Sequence, residues 1–127
     1  MHKFSVPTSK TTEVIDITEM VLLAITGQQG KACLVHIPHT TAAVMINEFE
    51  PNIKEDFETL YSSLVPDSDY KHEHVDKNAR AHLTASLIGN SATFPIENGK
   101  PALGTWQRII FVELDGPRQR EVYVQVL

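Results

Sequence analysis

The segment Pro38-His39-Thr40-Thr41 breaks an apolar stretch with one imidazole and two hydroxyls. An imidazole can ligate a metal or move a proton near neutral pH. Hydroxyls can bond a polar ligand; the alternative is a solvated His39 beside a threonine that closes a turn. Asn47-Glu48 follows the next strand segment and precedes a helix, and strand ends of this kind commonly carry binding groups. Glu48 could act as acid or base, or orient a ligand histidine. A third group is Gly104-Thr105-Trp106-Gln107, where Thr105 and Gln107 would share one face opposite Trp106. That face offers hydrogen bonds to a polar ligand; the alternative is a packed tryptophan beside a structural glycine. Arg120 has a guanidinium that forks onto carboxylate or phosphate, and its two readings are anion recognition or an ion pair with Glu113.

Six histidines give this chain further possibilities. His2 lies at the terminus, and His36 sits in an apolar strand as a core residue. His72 and His74 are two apart and would point the same way in extended backbone. His82 lies early in a helix. A metal centre built from His39, His72 and His82 would have to be assembled by folding. Three imidazoles with an open fourth position are the form of a catalytic zinc site. No His-Glu-x-x-His motif is present, and a single cysteine, Cys33, excludes a cysteine-rich site.

The elements that must position these groups follow from periodicity and turn residues. Phe4 and Val6 alternate with polar residues as a first strand, and Thr12 to Ile17 reads as a second. Thr18 suits an N-cap for a short buried helix over Met20 to Ile25, stopped by Gly27. Ala32 to Ile37 is a buried strand that Pro38 interrupts, and Thr41 to Ile46 continues as another. Pro51 begins a helix whose apolar face is Ile53, Phe57, Leu60 and Leu64, at spacings of 4, 3 and 4. A polar loop over 67–77 leads to a third helix, Ala79 to Ile88, with Asn78 as cap and Gly89 as stop. Asn98-Gly99 marks a hairpin, Gln107 to Leu114 is a long apolar strand, and Val122, Val124 and Val126 alternate in a last one. The expectation is one α+β domain over residues 1–127: a mainly antiparallel sheet or sandwich with two to three helices packed against it.

Composition narrows the partners. Eleven basic and sixteen acidic side chains give a formal charge of -5, with no basic tract, so nucleic acid is not expected. The longest apolar run, Val21 to Ile25, is far too short to span a bilayer, and no signal peptide is visible; a cytoplasmic protein is expected. Cys33, among Ala32, Leu34 and Val35, reads as a buried, inert thiol.

Taken in order, the motifs resemble the YjbQ-like family, whose members are called secondary thiamine-phosphate synthases. The matching pieces are His39-Thr40-Thr41-Ala42-Ala43, Asn47-Glu48, the helix with Asp56, Val65-Pro66, Tyr70-Lys71-His72, Asn78-Ala79-Arg80-Ala81-His82, Gly89-Asn90-Ser91, Gly104-Thr105-Trp106-Gln107 and Glu113 to Arg118 with Arg120. Phe94 stands where the family pattern has an aliphatic residue. The resemblance implies a compact α+β fold, a homotrimer, and a divalent metal such as zinc held by His39, His72 and His82 near a subunit boundary. It implies a weak transferase activity that joins a hydroxymethylpyrimidine diphosphate to a thiazole phosphate and releases pyrophosphate. Glu48, His39 and Arg120 are then the catalytic candidates. Thr40, Thr41, Asn47, Thr105, Gln107 and Arg120 would bind the small phosphorylated substrate. Two alternatives stand beside it: a zinc-dependent hydrolase of a small anionic compound, and a non-catalytic trimer that binds a small anion.

Overall fold

A computed structural model describes residues 1–127 as eight strands and three α-helices. The order is β1 (His2–Pro7), β2 (Glu13–Asp16), α1 (Thr18–Ile25), β3 (Ala32–His36), β4 (Ala42–Asn47), α2 (Pro51–Ser63), α3 (Ala79–Ile88), β5 (Ser91–Glu97), β6 (Lys100–Pro101), β7 (Arg108–Glu113) and β8 (Gln119–Val126). A five-stranded sheet runs β1-β8-β3-β5-β6, and a three-stranded sheet runs β2-β7-β4. Every pairing is antiparallel. The fold is α+β, as the pattern of elements predicts.

The long apolar strand β7 explains the layering. Ile109 and Phe111 face a core shared with Cys33, Val35, Val122 and Val124 of the larger sheet. Ile110 and Val112, one step along, face a second cluster with Ala85 of α3, against which Phe57 and Tyr61 of α2 pack. Alternation sends successive side chains to opposite faces, so a strand buried on both sides must be apolar throughout. The larger sheet, the smaller sheet and the α2–α3 layer thus form three tiers, with α1 contributing Val21, Ala24 and Ile25 to the first core.

Local details depart from expectation in instructive ways. Helix α1 begins at Thr18 rather than after it, because the Thr18 hydroxyl is committed elsewhere. It donates to Asp16 Oδ1 at 2.6 Å and accepts the Ile109 N–H at 2.8 Å, tying the helix to β7. Met20 and Leu23 are exposed, so only one face of α1 is buried. In α2 no residue is fully buried, and Leu60 and Leu64 face solvent. Phe57 and Tyr61 turn inward instead, at the four-residue spacing that stacks side chains on one face. The first turn of α3 is capped by Glu73, which accepts the Ala79 N–H at 2.8 Å, and not by the Asn78 side chain. Asn98 and Gly99 both take positive φ, 54° and 74°, in the hairpin turn joining β5 to β6. No helix is long and apolar enough to cross a membrane.

Candidate functional site

The His39 segment is the corner where the chain leaves one sheet for the other. β3 pairs with β8 up to His36 opposite Tyr123. That register would set Pro38 opposite Glu121, and proline has no N–H to continue the ladder. The imidazole of His39 takes the strand's place: its Nε2 accepts the Glu121 N–H at 2.9 Å. Burial, and then the nearby Arg120 charge, hold His39 below the ordinary histidine value of 6.5. The ring is therefore neutral at pH 7, and with Nε2 accepting, the hydrogen-bond network puts its one proton on Nδ1. Gly89 and Asn90 clamp the same corner, since Gly89 O accepts from Val44 N–H of β4 and Asn90 O from Ile37 N–H.

Beneath this corner lies a buried ion pair. Arg120 and Glu113 side chains are 5% and 0% exposed. Arg120 Nε donates to Glu113 Oε1 at 2.9 Å, and Nη2 donates to Glu113 Oε2 and to Thr41 Oγ1. The carboxylate also accepts the Thr8 hydroxyl at 2.7 Å and the N–H groups of Leu114 and Asp115. Burial alone would raise the Glu113 carboxyl; the Arg120 and Thr8 bonds outweigh it and hold the carboxyl below its usual 4.5. Of the two readings of Arg120, the ion pair is thus realised. It does not exhaust the guanidinium, because Nη1 makes no bond within the chain and Arg120 lines a cavity of about 750 Å³.

That cavity gathers His39, Thr40 and Thr41 from the corner, Asn78 and His82 from the start of α3, and Arg118 with Asp115 from the turn before β8. Arg118 donates to Asp115 O and Oδ2, and Asn78 Nδ2 donates to the same carboxylate at 2.9 Å. Asn78 Oδ1 is buried with no partner. His72 meets His82 just behind, with ring centroids 4.7 Å apart and edge to face. His72 Nε2 is buried and lacks a hydrogen bond; the nearest carboxylate oxygen, on Asp76, is 3.9 Å away.

The whole chain is similar to known proteins in sequence and in fold. A family model described as "UPF0047 protein YjbQ-like" matches residues 2–127. The chain belongs to the YjbQ-like family. It is 48% identical over 126 residues to a UPF0047 protein of Archaeoglobus fulgidus, covering 98% of this chain and 99% of the relative. It is 39% identical over 133 residues to the UPF0047 protein YugU of Bacillus subtilis, covering 100% and 98%. Two crystal structures share the fold. A hypothetical protein from Aeropyrum pernix K1 superimposes with a TM-score of 0.94 at 43% identity, over 99% of this chain and 96% of that one. An uncharacterised YjbQ/UPF0047 protein from Clostridium acetobutylicum gives 0.92 at 42% identity, over 100% of both.

The remaining candidates of this YjbQ-like chain lie elsewhere. Ala42 pairs with Glu113 at one end of the β4–β7 ladder and Asn47 with Arg108 at the other. Five steps of about 3.4 Å put these ends roughly 17 Å apart. Asn47, Glu48, Thr105 and Gln107 are all exposed at the far end. Asn47 Oδ1 accepts the Glu48 N–H, and Gln107 Oε1 accepts the Gly104 N–H, so two of them hold local turns. Trp106 is 72% exposed, not packed as a core tryptophan would be. His72 and His74 do not share a direction, because Lys71–His74 winds into a 3-10 turn that leaves His74 exposed near Asp69. No group of three or more His, Cys, Asp or Glu side chains stands close enough within this one chain to hold a metal ion. His72 and His82 nonetheless suit one: they are adjacent, and one nitrogen is buried without a partner. His39 fits less well, since Nε2 is taken and Nδ1 carries the proton. As cavity residues, sequence reasoning missed Asn78, Asn90 and Arg118; the available signals were a helix-cap asparagine at Asn78, and polar residues at or just after the turn glycines Gly89 and Gly116. Cys33 is buried, and burial pushes its thiol up to about 11, consistent with an inert side chain.

Proposed function

We propose that this protein binds the phosphate end of a small phosphorylated compound in the Arg120 cavity, and that it carries a weak transferase activity of thiamine-phosphate synthase type. The observation that supports this most is Arg120 itself. Glu113 and Thr41 hold the guanidinium in place, its Nη1 makes no bond within the chain, and Arg120 lines the cavity. Donors fixed in advance stabilise developing negative charge without reorganising at the moment of reaction. In the joining of hydroxymethylpyrimidine diphosphate to thiazole phosphate, the thiazole nitrogen forms a bond to the pyrimidine methylene carbon. The bond from that carbon to the diphosphate oxygen breaks, and the diphosphate leaves with the electron pair. This step asks for charge stabilisation on the leaving group more than for a protein nucleophile. Arg120, the Nδ1–H of His39 and the Thr40 hydroxyl supply it in this reading. The test is thiamine phosphate formation from the two precursors by wild type beside His39→Ala. Product from wild type alone supports the reading; equal amounts from both, or none from either, remove the transferase. Thermal stabilisation by pyrophosphate without turnover leaves the non-catalytic anion-binding alternative.

A second reading, hydrolysis with a divalent metal such as zinc, is favoured by the unpartnered His72 Nε2 beside His82. These two imidazoles would hold the ion, and a metal there would polarise a phosphoryl oxygen. Elemental analysis of wild type beside His82→Ala tests it: bound metal lost in the variant supports the site, and metal-free wild type removes it.

We further propose that the protein works as a homotrimer. Glu48, Asn47, Thr105 and Gln107 lie at the far end of the β4–β7 ladder from the Glu113–Arg120 pair, so sharing Arg120's ligand would need another copy to bring them there. The largely exposed Trp106 supports an interface at that end. Light scattering after size exclusion tests the assembly, with a monomer mass as the overturning result.

A further inference from the structure

We propose that the protein has a separate binding site on another face of α3, and that its ligand is an amino acid with an apolar side chain. A cavity of about 460 Å³ is lined by Lys77, Arg80, Ala81 and Thr84. Asn78 and His82 line the Arg120 cavity instead. Residues three and four apart share a helix face, so these two sets look out on different sides of α3. The chain turns between them at Lys77, whose φ of 56° lies in the left-handed region. Asp76 therefore lines the Arg120 cavity and Lys77 the other. His39 and Arg120 have no part in this second cavity.

Opposite charges line this cavity without pairing. Arg80 is fixed at the end of α2, where Nε donates to Val65 O and Nη2 to Ser62 O, both at 2.9 Å. Neither Arg80 nor Lys77 has a carboxylate partner, and neither Asp67 nor Glu73 has a cation. Glu73 Oε1 accepts the Ala79 N–H, while Oε2 makes no bond within the chain. The remaining carboxylate, Asp115, is taken by Arg118 and Asn78. Asn78 Oδ1, also of this lining, is buried with no donor. The cavity thus offers cations that lack an acceptor and acceptors that lack a donor. An ion of one sign answers one set and leaves the other unmet. A zwitterion answers both, with its carboxylate on Arg80 and Lys77 and its ammonium on Glu73 and Asn78.

The rest of the lining sets the ligand's third group. Leu114 is buried, and Ala81 presents only a methyl group. The Tyr61 hydroxyl is committed to Met45 Sδ at 2.9 Å, so this residue offers the cavity its ring. Apolar surface of this kind favours an aliphatic side chain, which gains affinity by leaving water. The volume falls within the usual range of small-molecule sites. An aliphatic amino acid satisfies the cations, the acceptors and the apolar lining together.

Calorimetry on the full chain with L-leucine, and with two analogues that each lack one charge, tests this. Isoamylamine lacks the carboxylate, and isocaproate lacks the ammonium. L-leucine is expected to bind about tenfold or more tighter than either, since hydrogen bonds to charged groups are the strong ones. Glu73→Gln keeps an oxygen for the Ala79 N–H but removes the charge, and should weaken L-leucine by about tenfold while sparing isocaproate. Lys77 is exposed and unpaired, so Lys77→Met probes the carboxylate side without touching a bond of the fold, whether or not Glu73→Gln folds. Loss of L-leucine affinity in either variant supports the site. Isocaproate or isoamylamine binding as tightly as L-leucine overturns the zwitterion. Affinity that both variants retain overturns the placement, and no heat with L-leucine in the millimolar range overturns the site. Pyrophosphate binding, which reads the Arg120 cavity, is expected to be unchanged in Lys77→Met, so failure here leaves the anion reading standing.

Discussion

Two arginines stand at opposite ends of the central strand pair, and they do different jobs. Arg120 is 5% exposed against a fully buried Glu113, with Thr8 and two backbone N–H groups completing the carboxylate's bonds. Arg108 is 35% exposed and bridges Asp16 and Glu19, the latter largely in solvent. The buried pair sits under a cavity with a donor to spare; the exposed one staples α1 to β7. A buried charge pair is poor evidence of net stability, because desolvation offsets attraction. Set beside an open cavity, the fixed guanidinium is what the proposed anion site would use.

The largest expected effect tests that contrast directly. Glu113→Gln leaves Arg120 as an uncompensated buried charge and should cost about 3–5 kcal/mol in urea unfolding at pH 7. Because the folded Glu113 carboxyl lies below its usual 4.5, the wild-type contribution is present above that pH. It is lost as pH falls through the folded value, so the gap between wild type and variant should narrow on acidification below pH 4.5. A gap independent of pH would mean that packing, not charge, holds this end together.

A smaller effect asks whether the two ends of the ladder act on one ligand. His39→Ala removes a donor to a bound anion and should weaken pyrophosphate binding by about tenfold or more, as hydrogen bonds to charged groups contribute roughly 1.5–3 kcal/mol. Glu48→Ala, some five strand steps away, should leave binding within about twofold in dilute monomer. If Glu48→Ala matches His39→Ala, the ends meet across copies and the comparison must be redrawn on the assembly. The smallest effect belongs to Arg108→Met. Asp16 keeps its Thr18 bonds, so the loss should not exceed about 1 kcal/mol and should shrink with added salt. A loss rivalling that of Glu113→Gln would erase the distinction between the two arginines.

Much of the site was legible as residue types, far less as a constellation. Pro38-His39-Thr40-Thr41 stood out because polar side chains interrupt an apolar strand, and it does line the cavity. Asn47-Glu48 and Gly104 to Gln107 stood out by the same logic, yet they gather at the far end of the ladder. The expected common direction of His72 and His74 failed because a 3-10 turn rotates successive side chains where extended backbone would alternate them. Of the two readings of the Gly104 segment, the packed tryptophan fails: Trp106 is solvent-facing, since a turn rather than a strand holds it.

What the amino-acid order determined by itself is local or periodic. The two-faced apolar run of β7, the Asn98-Gly99 hairpin, Pro51 opening α2 and Gly89 closing α3 each follow from preferences acting within a few residues. Tertiary structure alone decided the long-range meetings: His39 with the Glu121 N–H, 82 positions away, and Arg120 with Thr41, 79 away. Those contacts depend on sheet register and on the corner at Pro38, where one residue of slip would turn every side chain to the opposite face. No short-range preference encodes that choice, and the cavity exists only because the whole fold makes it.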